Sequence, residues 1–145
     1  MSLRSLPALL RNEPALARVI GASGATLAVS NPAQAFTLAG IVRLSTCRPV
    51  LVVTPTGTAA EQLAHDLDVF SPEGVRMFPA WETLPFERVS PEVSTMGRRL
   101  QLLWQLAGEP DDRSPGVVVA PIKAVLQRLG PWRTSARPIT VARGD

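Results

Sequence analysis

The pattern of apolar and polar positions predicts short strands alternating with helices. Five compact apolar or β-branched runs bounded by turn residues are predicted as strands: residues 25–30, 50–54, 75–78, 116–120 and 138–142. The run 50–54 contains no polar alternation, which is typical of a strand buried on both faces of a sheet. Since helices separate most of these runs, the order predicts right-handed crossovers and an α/β fold, a parallel sheet flanked by helices.

Capping residues and apolar stripes predict the helices. Ser5 and Asn12 are helix-start signals near the N terminus, and a turn at Asn31 leads into an apolar helix. Thr58 and Glu61 have the spacing of a capping box. Two apolar stripes at helical spacing predict further buried helix faces, one formed by Met96, Leu100, Leu103 and Ala107, the other by Ile122, Val125, Leu126 and Leu129.

Composition limits the possible chemistry. With 145 residues, 46% of them hydrophobic and 19% charged, the chain is long enough for one packed α/β domain. A single cysteine, Cys47, and a single histidine, His65, exclude an internal disulfide and a cysteine- or histidine-rich metal site. The uncharged stretch 19–42 is interrupted by Gly, Ser, Asn, Pro and Gln, so we expect no membrane span and no leader. A cytoplasmic protein is expected.

The net charge of +3 and the pI near 10.4 raise the possibility of nucleic-acid binding. The basic residues are fourteen arginines and Lys123, however, and they are scattered along the chain, whereas a phosphate-binding surface is usually clustered. A solvated mixed surface is therefore favoured. A DNA-binding module that uses residues such as Arg98 and Arg99 remains an alternative.

A phosphate-binding loop would be expected directly after the first predicted strand, where the sequence is Ser30-Asn31-Pro32-Ala33-Gln34-Ala35-Phe36-Thr37. A working loop needs two glycines, a lysine and a hydroxyl residue in a fixed octet. Here Phe36 occupies the lysine position, both glycines are missing, and only Thr37 fits. The octet with Ser30, Phe36 and Thr37 is therefore interpreted as a degenerate loop, and no cofactor is predicted.

Other candidate catalytic residues are also isolated from the partners they would need. Ser23 has no nearby base, and His65 is interpreted as an exposed helix residue. The pair Glu82 and Glu87 lacks the aromatic sugar cleft of a glycosidase, since aromatic residues make up only 5% of the chain. The residues alone predict no enzyme.

A long motif begins at Trp81, where the sequence reads W-E-T-L-P-F-E-R-V-S-P as far as Pro91 and is followed by Arg99. This motif closely resembles the N-terminal domain of bacterial transcription-repair coupling factors (Mfd), and the resemblance covers roughly residues 16–145. That domain is similar to the first domain of the excision-repair helicase UvrB. The tyrosine-rich DNA-wedging hairpin of UvrB has no counterpart here, because the chain contains no tyrosine.

The resemblance implies a non-catalytic docking and regulatory module. Such a module helps to link a stalled RNA polymerase to nucleotide excision repair through UvrA, while the parent protein is an ATP-dependent DNA translocase that contacts polymerase and DNA through other domains. It implies an N-terminal lead-in over 1–15, a UvrB-like domain over 16–130, and the start of a UvrA-contacting subdomain over 131–145. The alternative is a UvrB-like or helicase-like fragment that retains ATP or DNA binding.

The resemblance also marks individual residues as family markers with a packing or interdomain role. We expect Trp81 and Phe86 to be substantially buried, because they would pack residues 79–91, a long connector, onto the edge of the sheet. The full set is Trp81, Glu82, Pro85, Phe86, Pro91 and Arg99.

Overall fold

Three parallel strands lie between two layers of helices in the computed structural model, which describes residues 2–83, 90–107 and 114–129. The strand order is β1-β3-β2, with Val50 and Val75 both in register with Val117. This is the α/β class that the sequence predicts. Two 3₁₀ helices, Leu3–Asn12 and Asn31–Ala33, accompany the elements α1 Pro14–Val19, α2 Gln34–Leu44, β1 Val50–Thr54, α3 Gly57–Phe70, β2 Val75–Met77, α4 Val93–Ala107, β3 Val117–Pro121 and α5 Ile122–Leu126.

The central strand β3 organises two apolar cores, because alternate residues of a strand point to opposite faces. Val117 and Val119 are fully buried against α2 and α3, where Leu67 is also fully buried. Val118 and Ala120 face the opposite layer. There they pack with Phe78, Leu102 of α4 and Ala124 of α5.

The prediction that 50–54 is buried on both faces is wrong. β1 is a strand, but its burial alternates: Leu51 is 54% exposed and Val53 is 44% exposed. The physical reason is its position, since within the described residues β1 pairs only with β3. The continuous apolar run that does lie buried on both faces is β3.

The prediction of a strand at 25–30 is also wrong. This segment joins no strand, and only Leu27 and Val29 are partly buried. Without a sheet partner its backbone gains no ladder hydrogen bonds, and its apolar residues are too few to bury one whole face. It leads into the 3₁₀ helix Asn31–Ala33 and then α2, so the turn and helix predicted after it are confirmed.

Three helix starts differ from their predicted positions. Ser2, not Ser5, caps the first 3₁₀ helix, while Glu13 rather than Asn12 caps α1 by accepting a hydrogen bond from the Ala15 N–H. The predicted capping box at Thr58 and Glu61 is absent because α3 begins two residues earlier, at its N-cap Thr56. The Thr56 hydroxyl accepts a hydrogen bond from the Ala59 N–H at 3.1 Å.

The predicted buried stripes of α4 and α5 are displaced. The buried face of α4 carries Thr95, Arg99 and Leu102. Of the predicted stripe, Leu103 is partly buried against the core, whereas Met96 and Leu100 are exposed. In α5 the buried residue is Ala124, and the whole predicted stripe is at least partly solvent-exposed. α5 has only five residues, and so short a helix cannot bury four large apolar side chains against the sheet.

Gly116 lies where β3 begins, tight against the turn before β2. Its N–H donates to the Glu73 carbonyl at 2.9 Å, and a Cβ at this position would overlap the Glu73 Cβ. Gly116→Ala is therefore expected to lower the free energy of unfolding by about 1–3 kcal/mol. Equilibrium unfolding in urea measures this change. The matched control Gly97→Ala lies within α4 with open space around it, and should instead raise the free energy by about 0.4–1 kcal/mol. Equal effects of the two variants would contradict the tight contact at Gly116.

None of the helices in the described ranges is long and apolar enough to cross a membrane. The predicted strand 138–142, the predicted subdomain boundary at 131, Pro85 and Phe86 lie outside the described residues.

Candidate functional site

The loops after the three strands meet at the carboxyl edge of the sheet, where parallel α/β sheets commonly bind ligands. Together with the first turns of α4 they surround an open cavity of about 520 Å³. Its lining comes from Pro55, Thr56, Gly57 and Glu61 after β1, from Pro79, Ala80, Trp81 and Glu82 after β2, from Pro121 and Lys123 at the end of β3, and from Glu92, Ser94, Thr95 and Arg98.

The cavity has a mixed charge. Arg98 and Lys123 contribute positive charges, and Glu61, Glu82 and Glu92 contribute carboxylates. All five side chains are exposed to solvent. Within the described residues, no group of three or more His, Cys, Asp or Glu side chains could hold a metal ion.

Arg99 forms the centre of the best-defined contacts near this cavity. It is only 2% exposed, and its guanidinium carbon lies over two aromatic rings, 4.1 Å from the Phe78 centroid and 4.5 Å from the Trp81 centroid. It also donates a hydrogen bond to the Pro79 carbonyl at 2.5 Å. Burial lowers the pKa of Arg99 below the usual arginine value, yet a guanidinium remains charged at neutral pH. The buried charge is thus stabilised by a carbonyl dipole and two π faces.

Gln127 completes this arrangement from the residue that follows α5. Its carboxamide oxygen accepts a hydrogen bond from the Trp81 N–H at 2.8 Å, and its amide group donates to the Trp81 carbonyl at 3.4 Å. Arg99 also donates to the same Gln127 oxygen at 3.5 Å. We call these five residues, Phe78, Pro79, Trp81, Arg99 and Gln127, the arginine clamp. The arginine clamp fixes the start of the sequence motif against α4 and the end of α5.

Glu82 is held next to the arginine clamp by α4. The Thr95 hydroxyl donates a short hydrogen bond to the Glu82 carboxylate. This hydrogen bond, followed by one from the Glu82 main chain, lowers the pKa of Glu82 below its usual value. Thr95 is 6% exposed, so its hydroxyl is largely protected from water.

The structure brings three of the six motif residues together. Trp81, Glu82 and Arg99 lie around the start of the connector. Trp81 is partly buried, and so is Pro91 further along the chain. Sequence reasoning missed Thr95 and Gln127. The only signal for Thr95 is a polar residue on one side of a predicted helix, and Gln127 is a polar residue beside an apolar stripe.

The octet 30–37, predicted to be a degenerate loop, forms the 3₁₀ helix Asn31–Ala33 and the start of α2. Ser30 is exposed, and Phe36 packs edge-to-face on Phe70 of α3, with ring centroids 5.8 Å apart. The position that would carry a phosphate-binding lysine is thus part of helix packing. His65 is exposed on α3, as predicted, and Ser23 is exposed as well.

No family model matches the chain, but individual proteins do. In an alignment of 101 residues that covers 67% of its length, it is 44% identical to the transcription-repair-coupling factors of Mycobacterium tuberculosis and Mycobacterium bovis. The coupling factor of Haemophilus influenzae is 36% identical over 81 residues, or 56% of the chain. The chain belongs to the transcription-repair coupling factor family. It spans about 8% of the length of the mycobacterial proteins and 7% of that of Haemophilus influenzae.

Membership of the transcription-repair coupling factor family confirms the resemblance first seen in the motif from Trp81. The structure also bears on the alternative of DNA binding through Arg98 and Arg99. Arg99 is buried within the arginine clamp and cannot reach a phosphate, whereas Arg98 is exposed at the cavity.

Replacing Thr95 with valine is expected to raise the pKa of Glu82, because its largest stabilising hydrogen bond is removed while side-chain volume is retained. A carboxylate whose pKa is lower in the folded than in the unfolded state stabilises the fold at pH values above its unfolded-state pKa. This stabilisation is lost as the pH falls through the folded-state pKa. The wild-type protein should therefore lose this contribution only at a pH below the usual glutamate value. NMR titration of the Glu82 side-chain carboxyl carbon measures the shift, with Ser94→Ala as the control; an unchanged pKa in Thr95→Val would contradict the assignment.

Proposed function

We propose that this chain is a non-catalytic docking and regulatory module of a transcription-repair coupling factor. It would help to link stalled RNA polymerase to nucleotide excision repair through UvrA. The observation that carries this proposal is the 44% identity to coupling factors of much greater length. Within such a protein, ATP-dependent DNA translocation and the contacts with polymerase and DNA would belong to other domains.

The non-catalytic part of the proposal is supported by the degenerate loop. Phe36 takes the place of the lysine that neutralises terminal phosphates, and it packs against Phe70. The preceding residues 25–30 form no strand, so they do not place the loop at the carboxyl edge of the sheet. In the part of the chain that the structure describes, no set of residues is recognisable as a site for nucleotide hydrolysis.

The motif residues fit a packing or interdomain role. The guanidinium of Arg99, which follows the motif, binds a carbonyl and two rings of the same chain within the arginine clamp. The Glu82 carboxylate is likewise bound by Thr95. We infer that these residues shape a rigid surface for neighbouring domains. In this proposal residues 1–15 are a lead-in, 16–130 form the UvrB-like domain, and 131–145 begin the UvrA-contacting subdomain. The parent protein would be cytoplasmic.

The proposal is tested with the complete coupling factor that contains this chain. At a temperature between the melting temperatures of the two proteins, Arg99→Ala should leave the module unfolded while the wild-type module stays folded, so that UvrA co-capture falls several-fold and ATP hydrolysis by the rest of the protein continues. Arg98→Ala is the matched control, because Arg98 is the exposed neighbour and should leave UvrA capture unchanged. Unchanged UvrA capture by the Arg99→Ala protein, despite demonstrated unfolding of the module, would contradict the docking role.

One observation favours the alternative that the chain retains ATP or DNA binding. The cavity at the carboxyl edge has the volume of a ligand site and is bordered by Arg98, Lys123 and the first residues of α3. Three carboxylates line the same cavity, however, and they oppose the binding of a polyanion. The docking function is therefore the better supported of the two.

A further inference from the structure

The chain leaves α5 through a short segment that has few buried side chains. α5 ends at Leu126, and Gln127 takes an extended backbone conformation, with φ −74° and ψ 131°. Four of residues 125–129 are exposed, Leu126 by 77% and Leu129 by 46%, and only Gln127 is partly buried. The side chain of Gln127 is therefore the main anchor of this segment.

Gln127 binds the main chain of Trp81 in the manner of a residue in a neighbouring strand. Its carboxamide oxygen accepts a hydrogen bond from the Trp81 N–H at 2.8 Å, and its amide group donates to the Trp81 carbonyl at 3.4 Å. A hydrogen-bonded pair in an antiparallel sheet exchanges its two bonds in the same way. Because two bonds to one residue define an orientation as well as a distance, this contact fixes how the end of α5 is turned relative to Trp81.

Arg99 of the arginine clamp supports both partners of this contact. It donates a hydrogen bond to the same Gln127 oxygen at 3.5 Å, and its guanidinium carbon lies 4.5 Å from the centroid of the Trp81 ring. Arg99 itself belongs to the buried face of α4. Two residues that are 46 positions apart in the sequence are thus held against one buried side chain.

Trp81 is also part of the wall of the cavity at the carboxyl edge of the sheet, together with Pro79 and Glu82. A displacement of this wall moves the Trp81 main chain, to which the Gln127 carboxamide is bonded. The end of α5 is in this way joined to the cavity wall through a single side chain.

We propose that Gln127 is a positioning residue that makes the direction in which the chain leaves α5 follow the position of the cavity wall at Trp81. The inference rests on the proposed function in one respect, the assignment of residues 131–145 to the start of the UvrA-contacting subdomain. A neighbouring domain that docks at the cavity and displaces Trp81 would then change the direction in which the polypeptide enters that subdomain.

Gln127→Met tests the anchoring role, because it retains most of the side-chain volume and removes both hydrogen bonds to Trp81. In NMR spectra of the 145-residue chain, the Trp81 amide should exchange at least about tenfold faster relative to the Val50 amide than in the wild type. The Val50 amide is bonded beside β3 and reports unfolding of the sheet. The backbone order parameters of Arg128 and Leu129 should fall below about 0.6.

Two further variants separate the hydrogen bonds from a general loss of stability. Gln127→Glu keeps the acceptor oxygen, so it should restore most of the protection of the Trp81 amide. Arg128→Ala is the matched control, because Arg128 is the exposed neighbour, and it should leave both the Trp81 exchange and the order of Leu129 as in the wild type. Unchanged exchange and order in Gln127→Met would overturn the anchoring role, and so would equal losses in Arg128→Ala.

Thr95→Val tests whether the end of α5 follows the cavity wall, because it removes the hydrogen bond that holds Glu82. The amide resonances of Arg128 and Leu129 should shift when Gln127 is present and should not shift in the Gln127→Met background. Equal shifts in both backgrounds, or none in either, would overturn the coupling. None of these measurements involves UvrA, so failure of the docking role leaves their outcome unaffected.

Discussion

Arg99→Ala is expected to lower the free energy of unfolding by about 3 kcal/mol. Truncation removes a charge-assisted hydrogen bond to the Pro79 carbonyl, worth about 1.5–3 kcal/mol, and a cation–π contact worth about 2 kcal/mol when it is desolvated. Relief of the cost of burying the charge offsets part of this loss. Urea unfolding followed by circular dichroism gives the value, and the melting temperature should fall by about 10 °C.

Two further variants separate the contributions within the arginine clamp. Arg98 is the exposed neighbour of Arg99. Arg98→Ala should therefore change stability by roughly 0.5 kcal/mol at most. Arg99→Met retains most of the side-chain volume without the charge or the hydrogen bond, and should remain clearly less stable than the wild type. Stability of Arg99→Met equal to that of the wild type would show that the guanidinium contributes volume alone, which would contradict the role assigned to the arginine clamp.

Leu67→Ala is expected to produce a comparable loss, about 3 kcal/mol, in the opposite core. Leu67 is fully buried between α3 and the sheet, in the cluster with Val42, Val117 and Val119. Removing a buried leucine side chain loses its transfer free energy and leaves a cavity, which together cost about 2–5 kcal/mol. Equilibrium unfolding in urea measures the change.

The matched control lies two residues further along the same helix. Val69 is 41% exposed, so Val69→Ala removes little buried area. The substitution should change stability by roughly 0.5 kcal/mol at most. If the two variants were equally destabilised, α3 would not pack on the sheet through the Leu67 face.

Local sequence patterns predicted the elements that a strong periodicity or a clear stop signal defines. The helix of α3 as far as Phe70, the strand β1 and the strand β3 were all found in this way. The strand at 25–30 was wrong because β-branched composition does not show whether a neighbouring strand is available. The exposure of β1 was missed for the same reason, since the order of strands in a sheet is set by crossovers and not by the strand's own residues.

The candidate site was only partly predictable. The motif identified Trp81, Glu82 and Arg99, but the sequence could not show that Arg99 lies inside the fold, because an arginine on a helix is ordinarily solvated. Because Arg99 occupies the buried face of α4, Met96 and Leu100 of the predicted stripe are exposed, and only Leu103 stays partly buried against the core. Gln127 could not be predicted, since its contact with Trp81 joins residues that are distant in sequence.

The central claim, that this is a non-catalytic module, is tested most directly by calorimetric titration of the chain with magnesium–ATP. Phe36→Lys, which restores the missing lysine of the octet, is the comparison. We expect no saturable heat from the wild-type chain at millimolar nucleotide. Saturable binding by the wild-type chain would contradict the account and would place the nucleotide-binding function first.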